Sequence, residues 1–141
     1  MIDLLNQRCP YCGSDTIIMD SKKIYGKDYG YVIACRNYPK CDAYVGCHGK
    51  TQIPMGTIAN KELRELRHEA HKYFDPLWKI KIKKGIYNGR YLAYSWLSSR
   101  MKIPLNRTHI GMFDEKKTKK CIEICKPFYE NLKKKGMLKD E

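Results

Sequence analysis

The cysteines of this chain fall into two pairs whose spacing suits metal chemistry. Cys9 and Cys12 are separated by two residues, and Cys35 and Cys41 by five. Cysteines with two residues between them can direct both sulfur atoms at one ion, and Gly13 lets the backbone turn there. Four thiolates on two such turns predict a closed tetrahedral site for one structural Zn²⁺. A site of this kind stabilises a fold and leaves no open position for catalysis.

Alternatives to this ligand set remain at the level of sequence. Cys47 or His48 could replace Cys41 as the fourth ligand, although we favour Cys41 and expect Cys47 to be a small buried residue. The cysteines could also be ordinary buried thiols, but their paired spacing argues against this.

Seven cysteines without a signal peptide indicate a reducing compartment, so we expect a cytoplasmic protein. No apolar run is long enough to span a bilayer, so we expect no membrane partner.

Short strands and turns must hold the two cysteine pairs. β-Branched and aromatic residues favour strands at 16–19 and 29–34, with a polar hairpin tip at 21–28 between them. A short third strand is expected at 44–46. Together these elements predict a zinc ribbon over residues 1–53, with two to three antiparallel strands.

Beyond residue 53 the pattern becomes helical. Apolar residues three and four positions apart predict helices from Thr57 or Asn60 to about Tyr73, over 90–102, and from an N-cap at Asp114 to about Lys135.

Prolines and basic residues set the expected limits of these helices. We expect Pro76 to end the first helix, residues 79–84 to form an extended basic connector, and Pro127 to kink or break the last helix. The fold class is therefore small α+β, a zinc ribbon followed by a basic three-helix domain over residues 54–141.

The charge of the chain is strongly positive and unevenly distributed. It has 28 Lys and Arg against 15 Asp and Glu, a formal net charge of +13. Residues 1–59 contribute +2 and residues 60–141 contribute +11. Such an excess favours a polyanionic partner, so we predict nucleic-acid binding, with DNA favoured. A solvated basic face is the alternative for any single cluster.

Tyrosines and basic residues supply the candidate contacts. Exposed tyrosines can stack on bases, and lysine and arginine can contact phosphates without reading sequence. We expect Tyr31 and Tyr38 to cover the zinc turns instead, and Lys116, Lys117 and Lys120 to attract an anion to a helix N-terminus. The candidate nucleic-acid-binding residues are Lys22, Lys23, Tyr25, Lys27, Tyr29, Arg36, Lys40, Lys81, Lys83, Lys84, Lys116, Lys117 and Lys120.

The two cysteine turns resemble a known zinc module. The sequence Cys-Pro-Tyr-Cys-Gly at 9–13, followed by Cys-Arg-Asn-Tyr-Pro-Lys-Cys at 35–41, is similar to the C-terminal four-cysteine zinc ribbons of bacterial type IA DNA topoisomerases. It differs at Arg36, where those ribbons have a small residue, and in its long lysine-rich hairpin. The resemblance implies association with single-stranded DNA. It does not imply strand cleavage, because these residues contain no topoisomerase catalytic domain.

The whole chain resembles a phage and prophage family of zinc-finger-containing domains. The similar stretches are the ribbon and residues 68–78, 94–97 and 108–114. This resemblance implies an architecture and a viral setting, hence the host cytoplasm, more than an activity.

Three functions are compatible with these features. We favour a non-enzymatic phage protein that binds nucleic acid. The alternative is a module that docks on a host protein such as a polymerase, nuclease or defence factor, with its charge steering the encounter. An enzyme that uses His68, His71 or His109 is the least favoured, because surface or packing roles explain those residues. The sequence does not distinguish DNA from RNA, single from double strand, or monomer from dimer.

Overall fold

The structure is a computed structural model and describes residues 7–137. Three antiparallel strands are followed by helices, which confirms the predicted small α+β class. The chain divides into two compact units, residues 1–64 and residues 65–141, which we name the ribbon unit and the helical unit. No helix within the described residues is both long and apolar enough to cross a membrane.

The ribbon unit is built on a three-stranded sheet. Its strands are β1 (Thr16–Asp20), β2 (Tyr31–Cys35) and β3 (Tyr44–Gly46), in the order β1-β2-β3. All three expected strands are therefore present. The central strand β2 is buried from Val32 to Cys35. Because successive side chains point to opposite faces, Val32 and Ala34 share one face and Cys35 points to the other.

The hairpin tip between β1 and β2 contains a short helix, α1 (Lys22–Tyr25), which the expectation of a simple polar turn missed. The Asp20 carboxylate accepts a hydrogen bond from the backbone N–H of Lys22, at 2.9 Å, and so supports the first turn. The helix ends at Gly26, whose positive φ of 73° suits glycine. A helix of four residues is too short to show an apolar periodicity in the sequence, so the pattern could not predict it.

The first long helix, α2 (Lys61–Lys83), begins where predicted but ends ten residues later than the sequence pattern indicates. The Asn60 side chain accepts the N–H of Leu63 at 2.9 Å, so Asn60 is the cap. Pro76 does not end the helix, and the expected extended connector at 79–84 was wrong. Phe74 and Leu77, on either side of the proline, pack on the same apolar core, which outweighs the missing hydrogen bond.

Two further helices complete the helical unit, α3 (Gly89–Met101) and α4 (Glu115–Lys134). Asp114 caps α4 as predicted, since its carboxylate accepts the N–H of Lys117 at 2.8 Å. Pro127 lies inside α4 without breaking it. The buried core of the unit contains Ala70, Phe74, Ala93, Leu97, Ile110, Phe113, Cys121 and Cys125.

The segment before α4 is more ordered than the expected loop. It contains two 3-10 turns, Leu105–Arg107 and Ile110–Met112. The buried Arg67 guanidinium donates from Nε and Nη2 to the carbonyl of Phe113, at 3.1 and 2.7 Å. This charged residue therefore holds the segment against α2, a role that its sequence context does not reveal.

Candidate metal centre and nucleic-acid interface

The four predicted cysteine ligands come together at one point. The Sγ atoms of Cys9, Cys12, Cys35 and Cys41 all lie within 4.8 Å of one another. Cys9 is 3.6 Å from Cys41, and Cys12 is 3.4 Å from Cys35, measured between sulfur atoms. A tetrahedral zinc with Zn–S bonds of about 2.3 Å requires sulfur atoms about 3.8 Å apart. The cluster therefore fits one Zn²⁺ with four thiolates and no open position, and the expectation of a single structural zinc is confirmed.

Backbone turns direct the sulfur atoms inward. In the first turn, the N–H of Gly13 donates to the carbonyl of Cys9 at 2.9 Å, and Gly13 has a φ of +76°. In the second turn, the N–H of Cys41 donates to the carbonyl of Asn37 at 3.1 Å. Cys35 is fixed by its place at the end of the buried strand β2. The ligands are thus held by local hydrogen bonds and by the sheet.

Asn37 connects the two turns and was missed by the sequence analysis. Its backbone N–H lies 3.4 Å from the sulfur of Cys35, and its side-chain amide donates to Ser14 Oγ at 2.8 Å. The same amide lies 3.8 Å from Cys12 Sγ. Such N–H···S contacts orient ligands and offset thiolate charge. Its position two residues after Cys35 was the sequence feature that could have predicted this contact with the ligand sulfur.

Cys47 and His48 lie outside this cluster. Cys47 is buried, as expected, and its backbone N–H pairs with the carbonyl of Tyr31. Burial raises the pKa of the Cys47 thiol, which favours the neutral form. His48 is exposed on a turn. Within residues 7–137, the four-cysteine group is the one cluster of three or more potential metal ligands.

The cysteine sulfurs differ in their ease of ionisation. Hydrogen bonds from the Ser14 side chain and backbone lower the pKa of Cys12 to about 6. Burial raises the pKa of Cys35 to about 12. The exposed Cys12 sulfur thus loses its proton more readily than the buried Cys35 sulfur, from which zinc must displace a proton.

Four tyrosines form a connected group on the Ala34 face of the sheet, which we name the tyrosine cluster. Tyr44 lies opposite Ala34 in the β-ladder. Edge-to-face contacts link Tyr29 to Tyr25 at 5.7 Å, Tyr25 to Tyr44 at 6.0 Å, and Tyr38 to Tyr44 at 6.0 Å between ring centroids. Tyr44 is buried, whereas Tyr25 and Tyr29 are 48% and 61% exposed. The cluster thus has an anchored end and an open end.

The open end of the tyrosine cluster is held by Ser21. This buried serine donates from Oγ to the carbonyl of Lys27, at 3.0 Å, and accepts the N–H of Tyr29 at 2.7 Å. Asp28 accepts the N–H of Gly30 and pairs with Lys50 at 3.1 Å. The tip is consequently pre-ordered, so Tyr25 and Tyr29 need little further ordering to contact a ligand.

The candidate cations of the ribbon unit fall into two places. Lys22, Lys23 and Lys27 are exposed on the same tip as Tyr25 and Tyr29. Arg36 and Lys40 are exposed on the second zinc turn.

The candidate cations of the helical unit lie near helix ends. Lys81 and Lys83 occupy the last turn of α2, Lys84 follows it, and Lys81 is half-buried. Lys116, Lys117 and Lys120 are exposed in the first turns of α4. The Asp114 carboxylate accepts the N–H of Lys117 at this helix N-terminus, so one of the free N–H groups there is already paired, and the expected attraction of an external anion stays a prediction.

The histidines considered as enzymatic residues are dispersed. His71 Nδ1 contacts the Asp75 carboxylate at 3.1 Å, one helical turn away, while His68 is exposed. His109 is exposed beside Tyr94, with ring centroids 5.9 Å apart. The nearby carboxyl group in sequence, that of Asp114, serves as the cap of α4.

The comparisons with known proteins agree with the metal centre. Residues 5–128 match a family described as a zinc-finger-containing domain, so the chain belongs to that family. It is also 24% identical, over 125 residues, to a DNA topoisomerase 1 of Methanocaldococcus jannaschii. That match covers 73% of this chain but only 16% of the topoisomerase. No solved structure matches the chain.

Proposed function

We propose that this member of the zinc-finger-containing domain family binds nucleic acid, DNA in preference, without catalysing a reaction. We further propose that it acts as a phage protein in the host cytoplasm. The observation that supports binding most directly is the tip of the ribbon unit, where Tyr25 and Tyr29 stand exposed among Lys22, Lys23 and Lys27.

The physical chemistry of this tip suits an unstacked strand. A base stacked on an aromatic side chain contributes ~1–3 kcal/mol, and each lysine near a phosphate releases condensed counterions. The hydrogen bonds of Ser21 order the tip before binding, which limits the entropic cost. The zinc site supplies rigidity, and its four sulfur ligands leave no position for a substrate.

The topoisomerase match supports DNA as the preferred partner. The matched protein is by name an enzyme of DNA, and the match includes most of this chain but a small part of that protein. What the two share is thus a part of the topoisomerase rather than its whole activity. Nucleic-acid binding by the matched segment is therefore the simplest function to propose for this chain.

Labelled oligonucleotides test the proposal. We would measure binding of single-stranded DNA, duplex DNA and RNA at two salt concentrations. The variant K22A/K23A/Y25A/R36A removes three cations and one exposed ring, and its salt slope on a single strand should fall by about 2. The control K79A/K119A/R107A/Y91A changes the same residue types on the helical unit. Equal binding by both variants would contradict the proposed ribbon contact.

A docking module for a host protein is the second candidate, favoured by an apolar groove in the helical unit. The groove has a volume of about 410 Å³, and its lining includes Leu92, Trp96, Phe128 and Leu132. Phe128 is 40% exposed although it is aromatic. A protein partner that stays bound in a pull-down after nuclease treatment, and is lost on Phe128→Asp, would favour this function over the first.

A further inference from the structure

We propose that α2 and α4 form a second nucleotide-binding site, which takes a base and its adjacent phosphates from a single strand. The site consists of Tyr73 and Tyr129 with the surrounding lysines Lys72, Lys126, Lys133 and Lys134. It rests on the proposed function and extends it, since these residues belong to neither the tip of the ribbon unit nor the helix-end clusters predicted from the sequence.

Two tyrosines provide the aromatic part of this site. The ring centroids of Tyr73 and Tyr129 are 5.1 Å apart, and the ring planes meet at 80°. In an edge-to-face pair, one ring directs its edge at its partner, so neither of its own faces is covered by that partner. Both residues are half-buried and line a pocket of about 470 Å³. A base can therefore stack on a ring that is already held in place.

The lysines come from both helices. The Nζ atoms of Lys72 and Lys126 lie 5.4 and 5.8 Å from the centroid of the Tyr73 ring. Lys126, Tyr129 and Lys133 are three and four residues apart in α4, so they share a face of that helix. Lys133 and Lys134 line the same pocket as the tyrosines. Positive charge thus surrounds the aromatic pair.

The lysines of this site outnumber its carboxylates and are not held in ion pairs within the described residues. Among residues 7–137, none of the four lysines forms an ion pair, and Glu130 is the one acidic side chain that lines the pocket. Ammonium groups held near one another repel, and an anion relieves that repulsion.

The combination of rings and cations defines the ligand class. A free phosphate would use the lysines but not the rings, and an apolar peptide would use the rings but leave the ammonium groups without partners. A nucleotide uses both. Bases within a duplex already stack on their neighbours, so the site favours an unpaired strand.

Photocrosslinking identifies the contact residues directly. An oligothymidylate that carries 5-iododeoxyuridine would be bound to the full zinc-loaded chain, irradiated, and mapped by peptide mass spectrometry. Adducts on Tyr73 or Tyr129 are expected in addition to those on Tyr25 or Tyr29. Adducts on the ribbon tyrosines alone would overturn the second site and leave the proposed function intact. Failure of the oligonucleotide to bind at all would refute both.

Single substitutions measure the stacking. Tyr129→Ala should weaken binding of the oligothymidylate about fivefold or more, whereas Tyr129→Phe keeps the ring and should bind as the unchanged chain does. Tyr91→Ala is the matched control, because Tyr91 is a 60% exposed tyrosine of α3 outside the site. Equal affinity of Tyr129→Ala and Tyr129→Phe, with both folded by circular dichroism, would overturn the proposal.

Charge removal gives an independent measurement. Lys126→Gln combined with Lys133→Gln should lower the salt slope of binding by about 1.4, the value for two phosphate contacts on a single strand. An unchanged slope would contradict the placement of phosphates at these lysines.

Discussion

The ribbon unit and the helical unit are stabilised by different means. The zinc-side core of the ribbon unit consists of Cys9, Cys35, Ala43 and Ile58, so two of its four buried residues are metal ligands. The helical unit buries larger side chains, among them Phe74, Leu97 and Phe113. Apolar burial contributes roughly 25 cal/mol per Å², so small side chains provide little. We therefore expect the ribbon unit to depend more on its metal and the helical unit more on its apolar core.

The two units also differ in their net charge and in where that charge lies. Residues 1–64 carry 9 basic and 6 acidic side chains, a net of +3, whereas residues 65–141 carry 19 and 9, a net of +10. The ribbon unit concentrates exposed rings and lysines on one ordered tip. The helical unit spreads its larger charge over several helix faces. Rigidity and charge are thus supplied by different parts of the chain.

Zinc removal should have the largest effect, and it should act on the ribbon unit. Structural zinc sites contribute apparent free energies of about 10–16 kcal/mol, which is comparable to the stability of a whole domain. Chelation should therefore abolish the amide resonances of β1, β2 and β3 and leave most of the far-ultraviolet helical signal. Nuclear magnetic resonance and circular dichroism on the same sample measure the two parts.

Elemental analysis supplies the control for zinc. Cys35→Ser should reduce bound zinc from one ion per chain to nearly none, whereas Cys47→Ala, which changes a buried thiol outside the cluster, should keep one. Persistence of the strand resonances without metal would show that the ribbon unit has a sufficient core of its own.

Phe74→Ala should produce the opposite pattern at smaller magnitude. Phe74 is fully buried, and removing a buried phenylalanine costs about 3–5 kcal/mol. Thermal melting of the helical signal should shift strongly downward while zinc content stays at one per chain. Phe128→Ala is the matched control, because its exposed ring should cost far less. Loss of zinc in Phe74→Ala would break the distinction between the units.

The smallest expected effect is a pH dependence within α2. Burial alone would raise the pKa of Asp75, but the hydrogen bond from His71 and the one from Trp78 Nε1, at 3.1 Å, leave it below its usual range. A depressed pKa stabilises the folded state above about pH 4, and this contribution is lost as the pH falls through the folded value. Asp75→Asn should lower stability by less than about 1 kcal/mol at pH 7.

The pH dependence of the stability change in Asp75→Asn tests this explanation. The difference between Asp75→Asn and the unchanged chain should shrink as the pH falls through the lowered pKa of folded Asp75, because the carboxyl is then protonated in both states. A difference that is constant with pH in denaturant titrations would mean that the carboxylate charge plays no part.

The sequence predicted the elements that depend on local signals. The paired cysteines, the strands at β1, β2 and β3, and the cap at Asp114 each follow from residues within a few positions of one another. The end of α2 did not, because Pro76 is a local signal to stop and the packing of Phe74 and Leu77 overrides it. Asn37 and Arg67 were missed because their partners, Ser14 and Phe113, are distant in sequence.

By itself the sequence determined that this protein binds zinc through two cysteine turns and carries a large positive charge, since ligand type, spacing and net charge are properties of the covalent chain. Only the tertiary structure decided which cysteine completes the cluster and which tyrosines remain open to a ligand. It also brought Tyr73 and Tyr129 together with lysines from two helices. Those outcomes depend on distances between residues far apart in the chain, which only packing sets.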